Sequence, residues 1–326
     1  MSFLRAATLA RSAAASSRRY SAQAAAPKSN LPLYLGGAGV VGLGTYVYLG
    51  FGKEEPKAAV KTPKKDLKSP LDPQNFVNFK LKKVEPYNHN TSKFIFELPE
   101  GYASLLPIAS CVYLKAENLL DAKGKPVYRP YTPISASDAE GELTFIIKKY
   151  ETGVASSYIH SLKPGDELAV KGPLPKWPYK INEFETVALI GGGSGIAPLF
   201  QILQHALPDN TNKTKFKLIF ANVTEEDILL RKELENWKKK YPDTFDIVYV
   251  LDKPGDKWKG ASGYVNADLI KQHVAPASVG NKVKVFICGP PPQMASICGL
   301  KDGMKQGTVG GILKELGYTE DQVFKF

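Results

Sequence analysis

The sequence predicts a two-domain β plus α/β chain: an antiparallel β-barrel, then a doubly wound parallel-sheet domain, with one transmembrane helix near the N-terminus. Its 326 residues are enough for two domains. Short strands of period two, separated by Pro, Gly and Asn turns, fill residues 74–180, which is typical of a barrel or sandwich. Over residues 181–326, apolar strands alternate with helical stretches, which indicates a parallel sheet covered on both faces.

The charge of the chain is concentrated at its N-terminal end. The net charge is +11, from 43 Lys and Arg against 32 Asp and Glu. Residues 1–68 hold 11 of the basic and 3 of the acidic residues, a net of +8, which leaves +3 for residues 69–326. Because that remainder is almost balanced, we expect no nucleic-acid partner. With 43% hydrophobic residues, the chain does not have a disordered, collagen-like or disulfide-rich composition.

Residues 1–28 have the composition of a targeting leader. They contain no acidic residue and carry Arg5, Arg11, Arg18 and Arg19 among Ala and Ser. Leaders that are rich in Arg and Ser and poor in acids are typical of mitochondrial transit peptides. The alternative is a disordered tail.

An uncharged segment, residues 31–51, follows the leader. Its 21 residues would reach about 31 Å as a helix, the thickness of a bilayer's hydrocarbon core. We predict a single membrane span, and its orientation stays open because basic residues flank both sides. The span has no GxxxG dimerisation face, and we expect a monomer. Residues 52–73, rich in Lys and Pro, are predicted to be an extended tether.

The individual elements are predicted from these two patterns, the alternation of period two in the first domain and the alternation of strand with helix in the second. In the first domain the alternation predicts strands at 76–84, 93–98, 110–116, 142–149 and 166–172 and one helix at 154–162. In the second it predicts strands at 186–191, 215–220, 245–251 and 282–288 and helices at 196–207, 224–239, 266–272 and 291–305. Residues 174–183 are the predicted junction.

Two motifs in the first domain suit a phosphate-bearing ligand. RPYTPIS, residues 129–135, offers an Arg fork for phosphate and the flat ring of a Tyr. GVASSY, residues 153–158, opens the domain's only predicted helix, and a helix N-terminus attracts anions. Taken alone, RPYTPIS is equally consistent with an ordinary turn after a strand. GVASSY alone is equally consistent with a plain Ser N-cap.

Two motifs in the second domain follow strands of the predicted parallel sheet. GGGSGIAP, residues 191–198, lies between a strand and a helix, where glycines allow a pyrophosphate or a flat ring to approach the backbone. CGPPPQM, residues 288–294, follows the last long strand. Ligands of open α/β sheets bind at the carboxyl ends of strands, so both motifs lie at the expected edge. Alone, a Gly run is a weak signal, and a lone Cys is more often a small buried residue.

The four motifs in this order make the chain similar to the ferredoxin–NADP reductase superfamily, and within it to the NADH–cytochrome b5 reductases. The resemblance covers residues 72–326 and includes FANVTEEDILLRKELE (220–235) and the terminal VFKF. With its leader and span, the chain most resembles the membrane-anchored mitochondrial form of fungi. The resemblance implies FAD on the β domain, NADH on the α/β domain, and a cytochrome b5-type haem protein as electron acceptor. It also implies the mitochondrial outer membrane as the location, with the intermembrane space as an alternative after processing.

The resemblance further implies the site residues. Arg129 would pair with the FAD pyrophosphate, Tyr131 would lie against the flavin–ribityl region and Thr132 near flavin N5. Asp227 would favour the ribose hydroxyls of NADH over the phosphate of NADPH, which like charge repels. The predicted catalytic residues are Thr132 and Cys288. The predicted cofactor-binding residues are Arg129, Pro130, Tyr131, Thr132, Ile146, Lys148, Gly153, Ser156, Gly192, Gly193, Ala197, Pro198, Asp227, Cys288, Gly289, Pro290, Met294 and Phe326.

Two departures from the family pattern concern cofactor contacts. The family commonly has Lys-Met where Val154-Ala155 stand, and Thr where Ala197 stands. We expect these changes to alter affinity and rate rather than the reaction, in which NADH gives hydride to the flavin and single electrons pass to a haem protein. The alternatives are a sister enzyme that uses NADPH or another acceptor, and a non-enzymatic, membrane-tethered nucleotide-binding module.

The remaining polar residues indicate no other chemistry. The four histidines show no metal-ligand spacing, so we expect no metal. The three cysteines form no CxxC pair, and no disulfide framework is indicated. The pairs Lys82-Lys83 and Lys148-Lys149 would steer an acidic haem protein, or else belong to a solvated strand face.

Overall fold

The computed structural model describes residues 66–326. The predicted leader, the predicted span and the tether up to residue 65 lie outside the described residues. Among the helices of residues 66–326, none combines the length and the apolar character needed to cross a membrane.

The first domain is a six-stranded antiparallel sheet with the strand order β4-β3-β6-β1-β2-β5. Its elements are β1 (Val77–Asn88), β2 (Thr91–Glu97), β3 (Ser110–Leu120), β4 (Pro126–Tyr131), β5 (Glu142–Lys148), α1 (Val154–Ser161) and β6 (Glu167–Pro175). Strand β1 pairs with β6 over 77–80 and with β2 from Leu81 onward, with a register shift after Leu81, so one bent strand joins the two halves of the sheet. The Ile134 N–H donates to Thr144 O at 2.8 Å, which brings the chain after β4 against β5.

Strand β5 is buried on both faces, and this positions the site. Leu143, Phe145 and Ile147 pack into the core of the first domain, where Phe145 meets Phe96 edge to face at 6.0 Å between ring centroids. Ile146 points the other way and belongs to the core of the second domain. The second domain therefore covers the outer face of β5, which explains the continuous apolar run of this strand.

The second domain is a six-stranded parallel sheet with the order β10-β9-β8-β7-β11-β12. Its strands are β7 (Thr186–Gly192), β8 (Lys215–Asn222), β9 (Phe245–Leu251), β10 (Ala261–Ser262), β11 (Val283–Cys288) and β12 (Val323–Lys325). Its helices are α2 (Ile196–Ala206), α3 (Arg231–Lys240), α4 (Ala267–His273), α5 (Pro291–Cys298) and α6 (Gly311–Glu315). The direction of strand order reverses between β7 and β11, which opens a crevice at their carboxyl ends. The two-domain β plus α/β prediction is confirmed.

Two predicted helices are shorter than expected. The helix predicted at 224–239 is a 3-10 turn, Glu225–Asp227, followed by α3, because Leu230 between them has φ 56° and breaks the helical path. The helix predicted at 291–305 ends at Cys298, because Gly299 has φ 76°. The terminal strand β12 was not predicted, because three residues are too few to show an alternation of apolar and polar side chains.

The corner between β1 and β2 connects the two domains. The Leu230 N–H donates to the Tyr87 hydroxyl at 2.7 Å, and Asn88 Nδ2 donates to Glu226 O at 3.0 Å. Lys93 Nζ lies 3.6 Å from a Glu233 carboxylate oxygen. These contacts join the corner to the segment that leads into α3, so they help to fix the placement of one domain against the other.

A buried lysine in a strand of the second domain's sheet makes the stability depend on pH. Lys284 of β11 is 1% exposed, donates to Asp321 O at 2.6 Å, and lies 3.9 Å from the centre of the Trp177 ring. Burial lowers the pKa of Lys284 to about 8 from its ordinary 10.5. Between these two values the unfolded chain holds a proton that the native chain has released, so stability rises with pH.

We expect the free energy of unfolding of the wild type, relative to Lys284→Met, to rise by up to about 3 kcal/mol from pH 8 to pH 10.5. Urea denaturation of both proteins across this range measures the difference. Parallel pH curves for the two proteins would show that Lys284 keeps its ordinary pKa in the native state.

Candidate functional site

Two side-chain contacts bring the end of β5 against the carboxyl ends of the parallel strands. The Tyr150 hydroxyl, two residues beyond β5, lies 2.8 Å from the Ser194 hydroxyl in the glycine turn after β7. Lys148 Nζ, at the end of β5, donates to Asp227 Oδ1 at 3.1 Å. The candidate site therefore lies where the end of β5 meets the carboxyl ends of the parallel strands.

On the β-domain side, β4 presents Arg129 and Tyr131. Arg129 is exposed, and its guanidinium donates to Tyr128 O at 2.8 Å. Within residues 66–326 this guanidinium forms no ion pair with a carboxylate, so it can take a phosphate. Burial raises the pKa of Tyr131 to about 12, so its half-buried ring keeps a neutral hydroxyl at neutral pH. Pro130 is exposed and Thr132 half-buried beside them.

The start of α1 forms a second anion-accepting feature. Gly153 is the N-cap, and no side chain caps the helix. The Ser156 hydroxyl instead accepts from Tyr150 N–H at 3.2 Å and donates to Gly153 O at 3.0 Å, which holds the turn into the helix. A Cβ on Gly153 would lie 2.5 Å from this hydroxyl. The plain Ser N-cap alternative is therefore wrong, and the first N–H groups of α1 are left to a ligand or water.

On the α/β side, the glycine turn packs against the end of β11. Gly192 ends β7 and Gly193, with φ 50°, begins the turn into α2. A Cβ on Gly195 would come within 2.6 Å of the Cys288 carbonyl carbon and 2.9 Å of Gly289 N. Only a glycine allows the turn after β7 and the end of β11 to approach this closely. Ala197 and Pro198 are buried in the first turn of α2.

The CGPPPQM segment leads from β11 into α5. Cys288 pairs with Gly191 in the sheet, and burial raises the pKa of its thiol to about 12. Its sulfur is therefore a neutral thiol at neutral pH and is unsuited to nucleophilic attack. Pro290 is the N-cap of α5 and Gly289 lies between it and the strand.

Three predicted site residues have core contacts. Ile146 packs in the core of the second domain, and Met294 is buried in the cluster on the other face of the parallel sheet. Phe326 packs at 5.9 Å from Phe286 and 5.2 Å from Phe324, and its N–H donates to Ile287 O. Phe326 thus supports the end of β11 from beside Cys288.

Asp227 is occupied by the protein itself. Its carboxylate accepts from Thr224 N at 3.1 Å, from Thr224 Oγ1 at 2.9 Å and from Lys148 Nζ, and the residue is 6% exposed. Burial would raise the pKa of Asp227, but the hydrogen bonds from Thr224 and Lys148 hold it below its ordinary value. The ribose contact expected of Asp227 stays a prediction, because these partners leave the carboxylate little free capacity.

Sequence reasoning missed Asp252, the residue directly after β9. Burial raises its pKa, and among residues 66–326 its carboxylate has no hydrogen-bond or ion-pair partner. It lies at the same carboxyl edge of the sheet as the glycine turn. Its position directly after an apolar strand was a usable signal, since acids at such positions can accept bonds from ribose hydroxyls.

The thiols and acids of residues 66–326 show no other site. Cys111, Cys288 and Cys298 are free thiols. No group of three His, Cys, Asp or Glu side chains in this part of the chain is arranged to hold a metal ion.

Two protein-family models match the chain. An oxidoreductase FAD-binding domain matches residues 78–179, and an oxidoreductase NAD-binding domain matches residues 189–299. These spans hold the β-sheet domain and most of the parallel-sheet domain.

Curated relatives and solved structures agree with these matches. A protein of Mycosarcoma maydis named NADH-cytochrome b5 reductase 2 is 43% identical over 333 residues, which cover 97% of this chain and 95% of that protein. A protein of Pyricularia oryzae with the same name is 45% identical over 291 residues, covering 88% of this chain and 87% of the relative. The crystal structure of the cytochrome b5 reductase domain of Ulva prolifera nitrate reductase superposes with a TM-score of 0.68. It is 26% identical and covers 79% of this chain and 100% of that domain.

Proposed function

The chain belongs to the NADH-cytochrome b5 reductase family, and on that premise we propose that it passes electrons from NADH, through bound FAD, to a cytochrome b5-type haem protein. One observation carries the proposal for the reaction: the Tyr150 hydroxyl, just beyond β5 in the FAD-side domain, lies 2.8 Å from the Ser194 hydroxyl in the NAD-side glycine turn, so the two domains touch at the predicted site. Cofactors bound on the two sides of this contact would be held within reach of each other.

The residues of the first domain fit FAD. Arg129 has a guanidinium without a carboxylate partner among the described residues, and α1, whose first N–H groups lack a side-chain cap, packs against β4 through Ala155 and Val127. Both suit a pyrophosphate, and the exposed ring of Tyr150 and half-buried ring of Tyr131 suit a flat ring system. We assign FAD contacts to these residues and to Pro130, Thr132, Gly153 and Ser156.

The residues of the second domain fit NADH. In the turn after β7, Gly193 and Ser194 are partly exposed, and this turn lies at the carboxyl ends of β7 and β11, where the strand order reverses. FAD supplies the chemistry that neither domain has, because it takes two electrons as hydride and releases them singly. The protein would orient the two cofactors and keep Cys288, at the end of β11, as a neutral thiol.

The absorbance spectrum of the purified full-length protein tests this proposal. We expect flavin bands in the isolated protein that bleach on addition of NADH and return when a soluble cytochrome b5 is added. NADPH should bleach them far more slowly. A colourless protein would support a nucleotide-binding module without turnover, and equal bleaching by both nucleotides would favour the sister enzyme that uses NADPH.

The acceptor is tested by salt dependence. Two of the lysines expected to steer it already have acidic partners, since Lys83 lies 2.6 Å from Glu85 and Lys148 pairs with Asp227. Lys82 and Lys149 remain exposed. We expect the rate of cytochrome b5 reduction to fall about tenfold between 50 mM and 500 mM salt, because salt screens attraction between exposed charges. Reduction of an uncharged quinone should change less; equal slopes would remove these lysines from the docking surface.

We also propose a location from residues 1–51. The basic leader would direct the chain to mitochondria, and the single span at 31–51 would anchor it in the outer membrane. The anchored protein would be a monomer. Cell fractionation tests this: deletion of residues 1–28 should remove the protein from mitochondria, and alkaline extraction should leave the full-length chain in the membrane pellet. Recovery of the full-length chain in the soluble fraction would contradict the anchor.

A further inference from the structure

We propose that Gln293 is a positioning residue for NADH, and that its side-chain amide donates a hydrogen bond to the nicotinamide half of the nucleotide just beyond the carboxyl ends of β7 and β11. This inference rests on the proposed function and adds a residue of the CGPPPQM segment to which the resemblance assigned no role.

Gln293 stands over the crevice at which the sheet order reverses. It lies in the first turn of α5, three residues after the N-cap Pro290. Its side chain folds back across the ends of two strands: a Cβ on Gly192, the last residue of β7, would collide with Gln293 Oε1 and lie 2.8 Å from its Cδ. A Cβ on Gly289, just after β11, would lie 3.1 Å from Oε1 and 3.2 Å from Nε2. The carboxamide therefore bridges the two sides of the crevice.

The Gln293 amide has a donor that the protein does not use. Its Nε2 is buried and has no hydrogen-bond partner among the described residues. A desolvated N–H without an acceptor is destabilising, so such groups are rare in folded proteins and tend to mark functional positions. The position of this donor, between Gly192 and Gly289, is the place at which an open α/β sheet receives a nucleotide.

The chemistry of the Gln293 NH₂ group indicates which atoms of NADH it can bind. An NH₂ group donates and carries no charge, so it suits a carbonyl, hydroxyl or phosphate oxygen. The nicotinamide half of NADH offers all three. Gln293 contacts Gly289, next to Cys288, which is the segment expected to frame the nicotinamide. We therefore assign the bond to this half rather than to the adenosine.

Two substitutions in the full-length holoenzyme test the assignment. Gln293→Met keeps the length of the side chain and removes the donor, and Gln293→Glu keeps the shape and replaces the donor by a negative charge. We expect KM for NADH to rise about tenfold in Gln293→Met, as for the loss of one hydrogen bond, and further in Gln293→Glu. The value of kcat should stay within about twofold. Ser296→Ala, on the exposed side of α5, is the control and should leave both constants unchanged.

A truncated substrate and the effect of NAD⁺ on Tm show which half of the nucleotide Gln293 contacts. Reduced nicotinamide mononucleotide lacks the adenosine, and its KM should rise by the same factor as that of NADH. Without nucleotide, Gln293→Met should melt at the same temperature as the wild type or slightly higher, because it loses a buried unpaired N–H. The rise in Tm that NAD⁺ gives to the wild type should shrink in both variants.

Several results would overturn the inference. Unchanged KM and an unchanged NAD⁺ effect on Tm would show that Gln293 does not contact the nucleotide. A raised KM for NADH alone, with the mononucleotide unaffected, would place the contact on the adenosine half. A lowered Tm with loss of flavin in both variants would make Gln293 structural. The proposed function fails separately, if NADH does not bleach the wild-type flavin.

Discussion

Replacement of Gly195 by alanine is expected to raise KM for NADH more than tenfold and to destabilise the second domain. The added Cβ would lie 2.6 Å from the Cys288 carbonyl carbon and 2.9 Å from Gly289 N. All of these neighbours are backbone atoms, which cannot rotate away as a side chain can. The end of β11 must therefore move away from the glycine turn, which displaces the carboxyl ends of β7 and β11 relative to each other.

We expect Gly195→Ala to lower the free energy of unfolding by about 2–4 kcal/mol, as overpacking of a tight contact does. We further expect it to raise KM for NADH more than tenfold, because both walls of the nucleotide crevice shift. FAD content should remain near the wild-type value, since the predicted FAD residues lie in the first domain. Urea denaturation, steady-state kinetics and the ratio of flavin to protein absorbance measure the three quantities.

A matched glycine separates this contact from the general cost of replacing glycine. A Cβ added at Gly255 would have no other atom within 4 Å, and the φ of Gly255 lies outside the left-handed region. Gly255→Ala should therefore leave stability and KM within the error of the wild type. If Gly195→Ala behaved like Gly255→Ala, the close approach of the glycine turn to β11 would not hold in solution.

The fold could be predicted because both domains repeat a simple pattern. Alternation of period two in the first domain and of strand with helix in the second reflects which faces are buried, and burial is recorded locally in the sequence. The run of apolar residues in β5 even signals burial on both faces, which the structure explains by Ile146 packing into the second domain. The motif residues likewise follow strand ends, so their common edge could be anticipated.

The partners of individual side chains could not be predicted in this way. Lys148 and Asp227 are 79 residues apart in sequence and in different domains, and nothing local to either indicates that they pair. The same holds for the unused amide of Gln293, which depends on how close Gly192 and Gly289 lie. Such contacts result from the docking of elements that are distant in sequence, and a pattern within one element carries no information about them.

The ion pair between Lys148 and Asp227 is expected to couple the two domains energetically. Lys148 ends β5 in the first domain, and Asp227 closes the turn before α3 in the second. The carboxylate is 6% exposed and the Lys148 side chain 19% exposed, so water screens the pair little. Removing one partner leaves the other charge buried and unpaired, which is costly.

We expect Asp227→Asn to lower the free energy of unfolding by about 2–4 kcal/mol, because it leaves the Lys148 ammonium unpaired and disturbs the hydrogen bonds with Thr224. Lys148→Met should cost less, since Thr224 still donates twice to the carboxylate. The double mutant should be more stable than the sum of the two losses implies, with a coupling energy of about 1–3 kcal/mol. Urea denaturation of the four proteins at pH 7 gives this value.

The pH dependence of the same four proteins identifies the charge as the cause. Because the pKa of Asp227 lies below its ordinary 3.8, its stabilising effect is present above about pH 4 and is lost as the pH falls through the lowered value. The difference in stability between the wild type and Asp227→Asn should therefore shrink below pH 4. A difference that persists in acid, or a coupling energy near zero, would show that the two domains are held by the corner at Tyr87 and Asn88 and not by this ion pair.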